Sequence, residues 1–531
     1  MNDKEWYKEA VVYQIYPKSF CDSNGDGIGD IPGIISKLDY LKDLGINTVW
    51  LSPCYLSPGY DNGYDIADYR MIDPVYGTMD DFKLMIDEMH KRDIRLLMDL
   101  VVNHTSDQHE WFKESKKGKD NPYRDYYIWK DKVDGHEPNK WMSSFVGSAW
   151  EWDEASEQYY LHLYTKQQPD LNWENPKVRN EIADMINYWL DMGVDGFRCD
   201  VINQIAKDFD DPHAGDAPWL HDYLHFLNEK CFKPHHAMTV GEVWDLTPEQ
   251  SLDLTAPERE ELSIVFQFEH ISTGREGKRF YLSGFDPNEF FGILSKWQYG
   301  LKNRGWNALV NENHDQPRSV NRFGNPDKYR YESATMLATM LYGMQGTPFI
   351  FEGQEIGMIN PTFKKYEDCI DIESTEGYRE MIKEFDESEV LARISADARD
   401  CGRSPMVWDD SKNAGFTAGK PWLIQIDEYK EINVAKDKES EKSVFAYYKK
   451  LIALHKENKT FLYGDYEEVY NKDNICAYKR TGKDGIYTVV CNFAQTVAES
   501  PIEINFDNIV LCNYSEHSNL LKPYEAIIFK N

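Results

Sequence analysis

Gly196-Phe197-Arg198-Cys199-Asp200-Val201 reads as a short buried strand carrying an arginine and a carboxylate two residues apart. Side chains two apart on a strand share a face, so Arg198 and Asp200 point one way and Cys199 into the opposite layer. A guanidinium beside Asp200 favours its ionised form and lowers its pKa. An ionised, positioned carboxylate suits a covalent-displacement step as its nucleophile. Taken alone, the same pair reads equally well as a structural ion pair at a strand end.

Outward from this stretch, strand-like runs alternate with longer helical patterns. Five lie nearer the ends of the chain: Val11–Pro17, Asn47–Pro53, Arg95–Val102, Ala308–Asn313 and Phe349–Gly353. Gly196–Val201, Met238–Val243 and Ser263–Phe268 bring the total to eight. Eight βα units predict an α/β fold, a TIM (β/α)8 barrel whose active site sits on the loops at the carboxyl ends of its strands. Polar residues gather at those ends. Glu242 arrives beside Trp244, and burial against aromatic surface would favour a protonated general acid there. His314-Asp315 closes the seventh run.

The chain has 531 residues, a net charge of −32 and a pI near 4.8, which argue against nucleic acid or an anionic membrane as partner. No apolar run is long enough to span a bilayer and no secretory signal is visible. Nine cysteines without paired zinc-type spacings read as reduced thiols in a cytoplasmic protein, and Cys199 as a small hydrophobe in the barrel wall. Asp22-Ser23-Asn24-Gly25-Asp26-Gly27-Ile28-Gly29-Asp30 alternates oxygen side chains with glycines. This is the chemistry of a structural Ca2+ loop, with Asp22, Asn24, Asp26, the Ile28 carbonyl and Asp30 as ligands. Gly33 stands where an EF-hand has its glutamate. No organic cofactor is expected.

Asp99-Leu100-Val101-Val102-Asn103-His104, with the stretches around Asp200, Glu242 and Asp315, resembles the four signature regions of the α-amylase family, glycoside hydrolase family 13. The order along the chain is the same. The resemblance implies Asp200 as nucleophile, Glu242 as acid/base and Asp315 as transition-state stabiliser, with Arg198, His104 and His314 holding the sugar. Such a retaining pair stands about 5–5.5 Å apart. Asp61-Asn62-Gly63-Tyr64, Gln168-Pro169-Asp170 and Phe351–Met358 resemble the oligo-1,6-glucosidase subfamily. That likeness implies an exo-acting pocket in which Tyr64 stacks on the terminal glucose and Asp61 and Arg403 bind hydroxyls at the closed end, with Phe145, Tyr164 and Gln168 also in the substrate site. It further implies a barrel over 1–103 and 172–457, an inserted domain B over 104–171 and a C-terminal β-sandwich over 458–531.

Val201 favours isomaltose-type substrates, because related enzymes acting on α-1,6 links tend to carry valine there. Two departures fall near the leaving-group side: Val407 replaces the subfamily's usual glutamine, and the interval from Asp200 to Glu242, carrying His213 and Trp219, is shorter than usual. The expected partner is a small oligosaccharide or disaccharide, and the protein a monomer or weak homo-oligomer. The alternatives are trehalose-6-phosphate hydrolase, sucrose isomerase and an α-1,4-preferring glucosidase. A phosphorylated substrate calls for a basic cluster at the cleft mouth, which this acidic sequence does not clearly offer. A non-catalytic relative of the transporter heavy chains is remote, since a membrane helix is missing and the catalytic residues are present.

Overall fold

The computed structural model describes residues 3–211 and 217–531; His213 lies outside the described residues. Eight parallel strands form one sheet: β1 Val12–Ile15, β2 Thr48–Leu51, β3 Arg95–Leu100, β4 Gly196–Cys199, β5 Met238–Glu242, β6 Ile264–Phe266, β7 Ala308–Leu309 and β8 Thr347–Phe351. Their order, β6-β5-β4-β3-β2-β1-β8-β7, curls the sheet into a TIM barrel. Nearly every strand residue is buried, as parallel strands covered on both faces require.

Only β6 and β7 lack a hydrogen-bonded ladder between them. The sequence run Ala308–Asn313 suggests a longer seventh strand, but only two residues pair, with Thr347 and Pro348 of β8. Beyond them side chains take over: His270 donates to the Val310 carbonyl at 2.8 Å, and Asn313 Oδ1 accepts the Asp315 amide at 2.8 Å. That leaves the β7 end free to bend toward the cleft.

After β3 the chain builds a three-stranded antiparallel sheet from Trp129–Lys130, Gln158–Leu161 and Trp150–Asp153. Ile128, Trp141, Trp150 and Leu161 form its own small core. Lys207, on the segment after β4, anchors this excursion through Asp170 at 3.0 Å and Asn103 at 2.8 Å.

The C-terminal region is a five-stranded antiparallel sheet: β9 Asp465–Lys472, β10 Ile475–Gly482, β11 Gly485–Asn492, β12 Ile509–Cys512 and β13 Ala526–Lys530. Among the described residues, only a two-stranded ribbon, Ala498–Glu499 with Leu520–Leu521, packs against it, so any sandwich here is lopsided. Arg480 fastens this sheet to the barrel, donating to the carbonyls of Gly343 at 2.8 Å, Thr460 at 3.1 Å and Gly464 at 2.8 Å. Among the described residues no helix is long and apolar enough to cross a membrane.

Candidate active site

The adjacent ends of β3, β4 and β5 converge on one guanidinium. Strand register sets Arg198 beside Asp99 on one side and Val240 on the other. Arg198 donates from one terminal nitrogen to Asp99 and Asp200, each at 2.7 Å, and from the other to Glu242 at 2.5 Å. Three carboxylates thus surround one buried cation. Burial pushes the Asp200 carboxyl well above the ordinary range; Arg198 opposes this, while Glu242 and Asp99 add to it. The sequence-based expectation of a lowered Asp200 pKa is therefore corrected. Arg198 acts in the predicted direction, but burial beside two like charges outweighs it. Asp99 is held up to about 6 by the same burial.

Trp244 approaches Glu242 through its indole N–H, at 3.2 Å, and not through its ring face. Glu242 also accepts the Val201 amide at 3.2 Å. Val201 is not a strand residue: β4 ends at Cys199, and Val201 sits at φ 35°, ψ 45°, in the left-handed region. That conformation is strained for a β-branched side chain. It aims the Val201 amide at Glu242 while its side chain lines the cleft.

Asp315 occupies a different field. Burial pushes its carboxyl up, but His314, Arg399, Arg403 and Arg198 hold it well below the usual range. Burial keeps His314 itself neutral, down at about 3, so the guanidiniums carry the effect. Arg403 reaches Asp315 at 2.7 Å and Arg399 at 3.5 Å.

These groups line or support a cleft of about 680 Å³. Asp61, Tyr64, His104, Phe145, Tyr164, Asp200, Val201, Glu242 and Asp315 line it. Gln168, Arg198, His314 and Arg403, also predicted as site residues, stand behind that wall, each at most 2% exposed. Gln168 holds Asp61 at 3.1 Å and His104 at 3.1 Å. His104 in turn meets the Tyr64 carbonyl at 3.2 Å. Tyr64 stacks on His314 and bonds its Nε2 at 2.5 Å.

Arg403 was expected at the closed end of the pocket; the cleft-lining arginine there is Arg399, one turn earlier on the helix Arg399–Arg403. Arg399 pairs with Asp61 at 3.1 Å and Asp371 at 2.7 Å, and lies over the Phe145 ring. The Asp61–Arg399 bridge walls off this end of the cleft. Burial raises Asp61 to about 6 against the pull of Arg399 and Arg403. Lowering the pH through 6 therefore neutralises Asp61 and loosens the bridge. KM for substrate is expected to rise below that pH in the wild type, and to lose that dependence in Asp61→Asn.

Arg275, Lys278 and Arg279 also line the cleft, a basic cluster the acidic sequence concealed. Arg275 is engaged by Asp397 at 2.6 Å and Arg279 by Glu373 at 2.8 Å. Lys278 has no ion-pair partner among the described residues. Val407 is fully buried and does not line the cleft, so it cannot act on the leaving group directly. Trp219 packs against the barrel core instead of lining the cleft.

In the loop 22–30, Asp22 accepts the amides of Asn24, Gly25 and Gly27 and the Thr417 hydroxyl. Asp30 accepts Ser23 twice and caps the helix Ile31–Ser36 through the Gly33 amide. Asn24 and Asp26 each accept one amide, from Asp26 and Ile28. These hard oxygens and the Ile28 carbonyl fit Ca2+ by type. The Asp22 and Asp30 carboxylates already serve the loop's own curl.

A close-set carboxylate pair and a third acid at the carboxyl ends of parallel barrel strands define a retaining glycoside hydrolase. The family model described as alpha amylase, catalytic domain, matches residues 14–464, and the chain belongs to that family. It is 50% identical to the oligo-1,6-glucosidase of Parageobacillus thermoglucosidasius, over 99% of each chain. Among solved structures, the trehalose-6-phosphate hydrolase of Bacillus licheniformis matches with a TM-score of 0.94 at 44% identity, over 99% of each chain. An isomaltulose synthase variant of Erwinia rhapontici bound to sucrose matches with a TM-score of 0.95 at 42% identity, again over 99% of each.

Proposed function

We propose that this enzyme is an exo-acting retaining α-glucosidase that hydrolyses terminal α-1,6-glucosidic bonds of isomaltose and short isomalto-oligosaccharides. One observation carries the reading. Asp200 and Glu242 are fixed to adjacent nitrogens of one guanidinium, in a cleft whose far end is walled by Asp61 and Arg399. Asp200 attacks the anomeric carbon while Glu242 delivers a proton to the leaving oxygen. With three carboxylates around one cation, the cluster has room to hold that proton. Glu242 then deprotonates water, which releases glucose with its α configuration kept. Asp315, kept ionised, places negative potential beside the oxocarbenium-like transition state.

The test is initial rates on isomaltose, maltose, sucrose, trehalose and trehalose 6-phosphate. Preference for isomaltose supports the reading; preference for maltose removes the α-1,6 assignment. Val201→Thr is expected to cut the isomaltose-to-maltose rate ratio by about 10-fold, the size of discrimination one small side-chain change supplies. An unchanged ratio would show that Val201 does not set linkage. A second reading, a phosphorylated disaccharide, is favoured by Lys278, which has no ion-pair partner among the described residues and lines the cleft with Arg275 and Arg279. Preference for trehalose 6-phosphate, lost in Lys278→Ala, would select it.

A structural Ca2+ at Asn24, Asp26 and the Ile28 carbonyl, with Asp22 and Asp30, is part of the proposal. Adding Ca2+ at a hundredfold excess over Kd is expected to stabilise the fold by about 2.7 kcal/mol. Asp26→Ala should abolish that gain in a thermal melt; no gain in the wild type would leave the loop a self-bonded turn. A cytoplasmic location is supported by nine free thiols, eight of them buried. A monomer or weak homo-oligomer is the proposed state, for light scattering to check.

A further inference from the structure

Outside the cleft lining, the C-terminal sheet brings together three ligand-bearing side chains of different kinds. Cys512 ends β12, Glu525 immediately precedes β13, and His517 lies on the connection between them. One ligand atom from each falls within 4.8 Å of the other two. The Cys512 Sγ and Glu525 Oε1 are 3.6 Å apart. Ligand-to-ligand edges in a tetrahedral zinc site are about 3.3–3.6 Å, from bonds of ~2.0–2.3 Å to N, O and S. That edge is therefore already set.

We propose that Cys512, His517 and Glu525 form a binding site for a thiophilic divalent cation of the Zn2+ class, its fourth position open to water. The two framework ligands are fixed. Glu525 is fully buried and its second oxygen accepts the Lys522 amide at 2.6 Å. Cys512 Sγ accepts the Tyr514 amide at 3.4 Å, which orients the sulfur as outer-shell bonds do at metal sites. His517 is exposed on the connecting loop and has only to close about 1 Å to reach the edge length of such a site. Binding replaces the thiol proton, released to solvent, with the metal. The ion pins loop 513–524 across the ends of β12 and β13. It is distinct from the all-oxygen loop 22–30, since only a soft ligand set selects zinc over calcium.

The experiment titrates the chelator-stripped full chain with Zn2+ alone by calorimetry, and with Co2+ in the near ultraviolet. One equivalent of Zn2+ is expected, with affinity falling at least tenfold in Cys512→Ser and in His517→Ala. Co2+ should give a thiolate charge-transfer band that Cys512→Ser lacks. Metal-free melting of the serine variant, unchanged from wild type, shows that the variant is folded. No Zn2+ binding by the wild type overturns the proposal. So does binding that Cys512→Ser leaves intact, or bound Co2+ without a thiolate band.

Discussion

Asp200→Ala is expected to lower kcat on isomaltose by about 10⁴-fold or more, ~5.5 kcal/mol in barrier, while the protein melts no lower than wild type. The two halves have one cause. Asp200 is held buried beside Glu242 and Asp99, with its carboxyl raised well above the ordinary range. For an acid whose folded pKa exceeds its unfolded value, folding is opposed at every pH above the unfolded value. The opposition is full above the folded pKa, fades as pH falls through that value and is gone below the unfolded one. Removing the carboxyl relieves that cost and leaves Arg198 with two partners. Activity and stability therefore part company here. Azide separates the roles of the two acids. In Asp200→Ala it takes the nucleophile's place and yields a β-glucosyl azide from an aryl α-glucoside. In Glu242→Ala it attacks the glycosyl enzyme from the opposite face and yields the α-azide. Exchanged products would exchange the assignments.

Arg198→Met should destabilise the fold by about 3–5 kcal/mol, the usual effect of removing one side of a buried charge cluster. Three carboxylates would remain without their cation. Their pKa values would climb further, so the folded variant would gain most from protons. The loss is then smallest in acid and grows as pH rises, and urea melts at pH 5 and pH 8 measure the difference. A loss equal at both would mean that the guanidinium only fills space. Arg198→Lys should recover little, because one ammonium cannot reproduce the planar fork that reaches two strands at once.

The barrel was legible because its strands are continuous apolar runs bounded by polar ends, and all eight overlap those runs, β8 starting two residues before its own. The shortness of β7 was not, since Val310–Asn313 keeps a strand's composition while its Val310 carbonyl turns to His270 and its Asn313 side chain takes the Asp315 amide. The three acids were legible from local sequence. Their electrostatics were not, because the Asp200 carboxyl responds to Asp99 and Glu242, which are remote in sequence. Arg399 escaped for a similar reason. Nothing around it marks it above Arg403; Asp371 bonds both arginines, and only Asp61, 338 residues away, singles out Arg399. Val201 was read as part of a strand because valine suits one; the backbone turn that aims its amide at Glu242 contradicts that propensity.

The Asp61–Arg399 wall also sets the order of events in a turnover. A cleft shut at one end has a single doorway, and the glucose lodged against the wall sits behind the rest of the chain. The shortened oligosaccharide must depart before the monosaccharide can follow. The enzyme therefore cannot ratchet along a strand: every cut ends in full release, and each new cut begins with a fresh encounter. Intermediate lengths should accumulate in a digest, and free glucose, re-entering the vacated blind end, should compete with substrate for it.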